Sequence, residues 1–362
     1  MMNNYHHPIN LPRNLGSKSS KSFKPSPGGA GGSFFFPKAQ DNVCAGKADR
    51  INADRPNKVC ADLSVAQPQA GANVTLGFKG SMPMNGVTVS QNPFYKSGMC
   101  PVNVHWHLGA EHYSYGQYDE AGFGPQNTDN QKHRDMSSGV IVGEVASSSS
   151  SGEAERLGFR CRHYDSKNPS FTKPYKWKHC SGMVVGETYE VHWPHSAAGA
   201  CGTVDQYQTP FRDGVFCNLT PEQVDGMLGQ DIANSVGVQA QVFTIINDES
   251  YFYPDLIKGM VTYKVRDMGT DVTFYSGSTT GQTVNNTMCS QYTPITWQVD
   301  RKCHLISASS FDKLCLDMKM QRDDMSEDLH PHGSRELVTN NLAADNQQFA
   351  GDRDRKKNLR RE

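Results

Sequence analysis

The segment VNVHWHL, residues 102–108, alternates polar and apolar side chains and carries two histidines on one side. Because successive side chains of a β-strand point to opposite faces, Asn103, His105 and His107 share one face. The other face is apolar and consists of Val102, Val104, Trp106 and Leu108. The pattern predicts a strand whose apolar face packs in a core while its imidazole face is free for other chemistry.

A second segment, TYEVHW at 188–193, alternates in the same way, with Glu190 and His192 on one face. Two histidines two residues apart on one strand, joined by a third from a neighbouring strand, can bind a single zinc ion. Three protein ligands leave the fourth tetrahedral position open, as in catalytic rather than structural zinc sites. We therefore predict that His105, His107 and His192 are metal ligands, with His195 as a competitor for the third place.

Two further polar residues stand behind the predicted ligands. Asn103 and Glu190 each lie two positions before a ligand, where a side chain can accept a ring N–H and fix the histidine tautomer. The remaining histidines outside these motifs, including His330 and His332, are interpreted as ordinary surface or core residues.

Most of the other apolar runs are short, strand-like and separated by Gly, Pro, Asn and Ser, which predicts a mainly β domain. They lie at 73–78, 139–145, 236–246, 260–265, 271–276 and 295–299. Long amphipathic helices are scarce, and the best candidates for short helices lie around 221–228 and 311–320. Residues 1–40 are too polar to order themselves and are predicted to be a disordered leader or linker, residues 41–347 the folded domain, and residues 348–362 a charged, solvated tail.

The charge balance argues against nucleic acid as a partner. Lys and Arg total 36 and Asp and Glu total 37, a formal net charge of -1, which suits a small neutral substrate better than a polyanion. No apolar run approaches the roughly 18 residues that a membrane-spanning helix needs.

Cysteine and sequon usage indicates an oxidising compartment. The 10 cysteines include no Cys-x-x-Cys pair, so disulfides are favoured, and Asn-x-Thr sequons begin at Asn73, Asn218 and Asn285. We expect a disulfide-bonded glycoprotein that is secretory, extracellular, periplasmic or organellar, although the N-terminus has no clear signal peptide. The disulfide pairing and oligomeric state are left open.

The motifs VNVHWHLGAEH, YEVHWPHS, FYSGSTTGQ and ITWQV together resemble the delta class of carbonic anhydrases. Similar pieces occur in the same order in the alpha class, so the resemblance implies an alpha-like fold: one large domain around a central, mostly antiparallel twisted sheet with few short helices. The implied activity is that of a carbonate dehydratase, a carbon–oxygen lyase. Such an enzyme reversibly hydrates carbon dioxide to bicarbonate and a proton, using a zinc-bound hydroxide on three histidines. One zinc per chain is implied, and three imidazoles would also accept cobalt or cadmium.

The resemblance also assigns residues around the ligands. Glu111 matches the glutamate that orients a gatekeeper threonine, and Thr279 matches that threonine, with Thr280 as the alternative. Trp297 matches a tryptophan near the substrate, and Val242 is our choice for the apolar wall that carbon dioxide requires. No residue matches the alpha-class proton-shuttle histidine, and Gly281-Gln282 replaces a Pro-Pro pair. A slipped alignment of the 188–193 strand would put Tyr189 at the third ligand position.

Two other functions remain open. The first is a cupin-like metal enzyme, in which His105, His107 and Glu111 would themselves hold iron or manganese. The second is a secreted β module without enzymatic activity, whose histidines only pack.

Overall fold

The computed structural model describes residues 72–81, 86–125, 134–135, 140–141, 144–145, 155–197, 220–277, 294–321, 329–334, 343–344 and 346. All of them belong to the unit Lys38–Glu362, the larger of two units in the chain. The predicted leader at 1–40, the tail at 348–362 and the threonine pair Thr279 and Thr280 lie outside the described residues.

The described elements are mainly strands. They are β1 (Cys100–Pro101), β2 (His105–Leu108), β3 (Tyr118–Asp119), β4 (Arg134–Asp135), β5 (Val140–Ile141), β6 (Glu144–Val145), β7 (Glu155–Arg156), β8 (Arg160–Cys161), β9 (Thr188–Ser196), β10 (Val236–Ile246), β11 (Val272–Gly277) and β12 (Ile295–Ser307). The helices are α1 (Pro169–Thr172), α2 (Pro221–Gly226), α3 (Gly229–Ser235) and α4 (Ala308–Gln321), with 3₁₀ turns at Phe94–Ser97, Glu249–Tyr251, Leu256–Lys258 and Lys264–Arg266.

A six-stranded sheet organises the domain in the order β1-β9-β10-β12-β11, with β2 also paired to β9. β9 pairs antiparallel with β1, β2 and β10, β11 pairs antiparallel with β12, and β10 pairs with β12 in parallel. The prediction of a mainly β fold around a mostly antiparallel sheet with few short helices is confirmed. The parallel β10–β12 pair at its centre makes the sheet mixed.

One face of this sheet packs against α4 and forms the main core. Trp106, Tyr189, Val191, Trp193 and Phe243 are buried there. The ring of Phe311 on α4 lies edge-on to that of Trp106, with centroids 5.7 Å apart. Since the apolar residues of β2 and β9 all point into this core, the alternating polar residues must point to the opposite face.

Two disulfides cross-link elements of the described fold. Cys161 of β8 bonds to Cys303 of β12, and Cys180 bonds to Cys315 of α4. These bonds favour an oxidising environment. None of the helices in the described part of the chain is long and apolar enough to cross a membrane.

Two predicted strands are wrong. In the run at 73–78 only Asn73 makes an isolated bridge, to Tyr113, and the chain turns at 76–77. Within 260–265 the chain forms a 3₁₀ turn at Lys264–Arg266, and Tyr263 makes only an isolated bridge to Met268. Asp267 adopts a left-handed conformation with φ 58° that closes this turn. The alternating pattern there reflects a half-exposed loop, of which Val261 is the buried residue.

Candidate metal centre

Strands β2 and β9 place three histidines on the polar face of the sheet. In the antiparallel register His105 lies opposite His192, and His107 lies opposite Glu190. Directly opposite residues share a face, so all four side chains point the same way. Each of the four is at most 7% exposed.

The three imidazoles converge closely. Ring centroids are 5.1 Å apart for His105 and His107, 5.3 Å for His105 and His192, and 4.7 Å for His107 and His192. One nitrogen from each ring lies within 4.8 Å of the other two, close enough to be ligands of one metal ion. The site is thus built from two adjacent strands.

Hydrogen-bond acceptors stand behind two of the rings and fix which nitrogen faces the centre. Nδ1 of His105 lies 2.6 Å from Oδ1 of Asn103, and Nδ1 of His107 lies 3.1 Å from the carbonyl oxygen of Gly333. An Nδ1–H that donates to an oxygen leaves Nε2 as the lone-pair nitrogen. Asn103 therefore lies where the sequence places it, whereas the Gly333 carbonyl is an acceptor that sequence reasoning missed.

Glu190 is buried and shared between several partners. Its carboxylate accepts a hydrogen bond from the backbone N–H of Glu111 and contacts Nδ1 of His112. Oε1 also lies 3.5 Å from Nε2 of His192, at the limit of a hydrogen bond. His112 in turn lies 2.6 Å from the hydroxyl of Tyr275 through Nε2. Glu190 thus links the third histidine to a buried polar network.

Electrostatics keeps the cluster in the form that binds a cation. Burial lowers the pKa of His105 well below its usual value, and the neighbouring imidazoles lower it further. Burial also lowers the pKa of His192, although Glu190 opposes the shift. Burial alone would raise the pKa of Glu190, but the imidazoles of His112 and His192 hold it well below its usual range. Neutral imidazoles beside an ionised carboxylate are the protonation states that a cation site requires.

Glu111 reaches the site through a glycine turn. Gly109 has φ +76° directly after β2, and a Cβ there would lie 2.6 Å from the backbone of Gly158, so only glycine fits. The turn brings Glu111 Oε1 to 3.3 Å from Nδ1 of His107. The carboxylate is fully buried and contacts the same edge of the ring as the Gly333 carbonyl.

Trp297 borders the cluster, and Val242 shares its face. The Trp297 ring lies 5.2 Å from that of His192 and 5.0 Å from that of His112. Val242 of β10 is opposite Glu190 in the sheet and fully buried. Both predicted wall residues therefore lie on the histidine side of the sheet.

The two residues that the sequence offered as alternatives for the third ligand lie elsewhere. Tyr189 points into the core, where its hydroxyl oxygen accepts a hydrogen bond of 2.8 Å from the backbone N–H of Val184. His195 lies on the opposite face, where its ring contacts Phe94 at 5.0 Å. Neither belongs to the histidine cluster.

His332 is a neighbour that sequence reasoning left as ordinary. Its ring stacks on that of His105 at 5.5 Å with an interplanar angle of 20°, and lies edge-on to His107 at 5.7 Å. The His330-x-His332 spacing repeats that of the ligand pair and is the signal that could have found it.

Comparison with known families agrees with this geometry. A family model described as delta carbonic anhydrase matches residues 96–310, more than half of the chain and all three clustered histidines. The chain belongs to the delta carbonic anhydrases. No curated protein and no solved structure matches it.

As a carbonic anhydrase, the chain acts on carbon dioxide and bicarbonate, and its histidine cluster is a candidate site for a metal cofactor. The donor set fits: three buried imidazoles, with neighbouring oxygens directing the ring nitrogens. Among the described residues, a second group of donors within 4.8 Å comprises His112, Glu190 and His192. Glu111 is in neither group, which argues against the cupin-like ligand set.

Proposed function

We propose that this delta carbonic anhydrase hydrates carbon dioxide with one zinc ion held by His105, His107 and His192. The observation that carries the proposal is the convergence of these three buried imidazoles within 4.8 Å, inside the family-matched region. Zinc held by three neutral imidazoles lowers the pKa of a water at its open position to about 7 and so supplies a nucleophile near neutral pH.

The chain's own residues prepare the ligands. Asn103 and the Gly333 carbonyl accept the Nδ1–H of His105 and His107, so that Nε2 of each ring faces the cluster. Glu190 lies behind His192 and, with its negative charge, supports that imidazole as a donor. Fixed tautomers remove the cost of reorganising the rings when the ion binds.

Glu111 is proposed as an orienting residue rather than a ligand or base. Its carboxylate is fully buried beside His107, and its backbone N–H is bonded to Glu190. In this proposal it accepts the hydroxyl hydrogen of Thr279, whose oxygen then accepts a hydrogen bond at the open position and directs the nucleophile.

Trp297 and Val242 are proposed as the apolar wall of the substrate site. Carbon dioxide carries no charge and gains nothing from a polar lining, so an apolar surface beside His192 favours it over water. The ring of Trp297 lies 5.2 Å from that of His192, which supports this placement.

We further propose that the enzyme works in an oxidising, extracytoplasmic or organellar compartment as a glycoprotein. The disulfides Cys161–Cys303 and Cys180–Cys315 support this. Cobalt and cadmium are proposed as substitutes for zinc, because imidazole nitrogens bind all three ions.

A metal analysis combined with stopped-flow carbon dioxide hydration tests the proposal. The purified chain should contain one equivalent of zinc, lose activity in a strong chelator and regain it when zinc is restored. A fully active chain without metal, or one whose metal is bound by a carboxylate oxygen, would overturn the zinc and ligand assignment.

A further inference from the structure

Residues 329–334 form a strap along the open edge of β2, beyond the end of the family-matched region. The N–H of His332 donates to the carbonyl of Trp106 at 2.8 Å, and the N–H of Leu108 donates to the carbonyl of His332 at 2.8 Å. These two bonds bracket His107, which makes a parallel bridge to His332. The strap is thus paired with the ligand strand at the ligand itself.

The other end of the strap is fixed to the disulfide-bonded turn around Cys180. The N–H of Ser181 donates to the carbonyl of Leu329 at 2.9 Å, and the adjacent Cys180 is bonded to Cys315 of α4. Gly182 packs so closely that an added Cβ would lie 3.3 Å from Pro331. The strap is therefore held at both ends.

The side chain of His332 lies against the histidine cluster but is not one of its three candidate metal ligands. Its ring stacks nearly parallel on His105 and meets His107 edge-on. It belongs to neither group of donors within 4.8 Å among the described residues. Exposure rises from His105 at 7% to the half-buried His332 and then to the exposed His330. His332 consequently forms the outer wall of the cluster.

A ring in this position can fix the orientation of His105. The terminal torsion of a histidine is broad and roughly two-fold, so the ring plane of His105 needs packing to fix it. The Asn103 hydrogen bond fixes one nitrogen of that ring, and stacking on His332 restricts rotation about this bond. A ring held in one orientation binds the ion without first losing rotational freedom.

We propose that the strap is part of the metal centre and that His332 is a positioning residue, which holds His105 in its metal-binding orientation by stacking. The inference rests on the proposed function, because it takes His105 as a zinc ligand. It extends the functional site beyond residue 310, where the family match ends.

The test uses the full-length chain and the variants His332→Ala, His332→Phe and His163→Ala. We would measure the zinc dissociation constant by competition with a chromophoric chelator, the visible spectrum of the cobalt-loaded protein, and the melting temperature of the metal-free protein. His332→Ala should weaken zinc binding about 10- to 100-fold and change the cobalt spectrum. His332→Phe keeps a stacking ring, so its zinc dissociation constant should stay within about threefold of the wild-type value. His163→Ala, the control at an exposed histidine outside the strap, should behave as wild type.

The outcomes separate the two proposals. Wild-type protein that binds no zinc contradicts the proposed function. Zinc-binding wild type with an unchanged His332→Ala affinity and spectrum overturns the role of His332. Equal losses in His332→Ala and His332→Phe overturn positioning by stacking. Positioning is also overturned if His332→Ala weakens zinc binding only because the metal-free protein melts at a lower temperature, with the cobalt spectrum unchanged. The role of His332 would then be purely structural.

Discussion

His105 and His192 lie directly opposite each other on neighbouring strands, with their rings 5.3 Å apart. A slip of one residue between β2 and β9 would place Val191 or Trp193 opposite His105 and turn every side chain of the strand to the wrong face. The register is held from the other side of the sheet, where Trp106 and Trp193 are fully buried. The same alternation therefore builds the core and assembles the cluster.

Replacing His105 by alanine should abolish zinc binding and carbon dioxide hydration, because two imidazoles cannot supply the tripod that holds the ion. Zinc content per chain and stopped-flow rates measure both effects. His163→Ala is the matched control, since His163 is an exposed histidine within the same domain. Full activity in His105→Ala would end the ligand assignment.

Thr279→Ala should leave zinc bound and slow turnover strongly, because the proposed gatekeeper orients the nucleophile and does not hold the metal. Metal analysis and steady-state rates distinguish these effects. Thr280→Ala is the paired variant. An unchanged rate in Thr279→Ala with a slow Thr280→Ala would transfer the role to Thr280.

The strands that build the cluster could be predicted because their alternation has two consequences at once. In β2 and β9 the apolar residues face α4 and the polar ones face the site, so one pattern predicts both strand and face. The 236–246 strand is predicted with its observed bounds for a different reason, as it is rich in β-branched residues, and the structure buries both of its faces. The local sequence pattern was sufficient to predict these strands.

Other parts of the site depend on contacts that no local pattern records. The Gly333 carbonyl is a backbone group, and it contacts His107 across 226 residues of sequence. His332 is drawn to the cluster by backbone pairing with Trp106 and Leu108. At 260–265 the local pattern was misleading, because the residues alternate as in a strand but the chain forms a turn.

Arg160→Met should destabilise the fold by about 3–5 kcal/mol, because it leaves the Glu187 carboxylate charged and buried without its partner. Arg160 makes two hydrogen bonds of 2.8 Å to Glu187, and both residues are buried. Urea unfolding measures the loss. Lys258→Met is the matched control, because Lys258 and its partner Asp255 are both exposed, at 71% and 46% of their side chains. That change should cost far less, and equal losses in the two variants would contradict the buried-charge argument.

His195 should make the fold sensitive to acid from the face of β9 opposite the histidine cluster. Its ring is buried against Phe94, its Nδ1 lies 2.7 Å from the carbonyl of Trp193, and burial lowers its pKa to about 4. The unfolded chain takes up a proton near pH 6.5 and the folded chain only near pH 4, so the unfolded state binds more protons between these values. Stability is therefore complete above the unfolded pKa and falls as the pH drops, by about 3 kcal/mol between pH 7 and pH 4.

Urea unfolding of wild type and His195→Gln at pH 7, 5.5 and 4 isolates this contribution, since both proteins share every other titrating group. Glutamine carries no titrating proton, so the variant should lose about 3 kcal/mol less than wild type over the same interval. Lys258, which lines the cavity beside His195, stays protonated throughout and cancels in the comparison. Parallel pH profiles would mean that His195 has the same pKa in the folded and unfolded chains, and that its burial has no effect on acid stability.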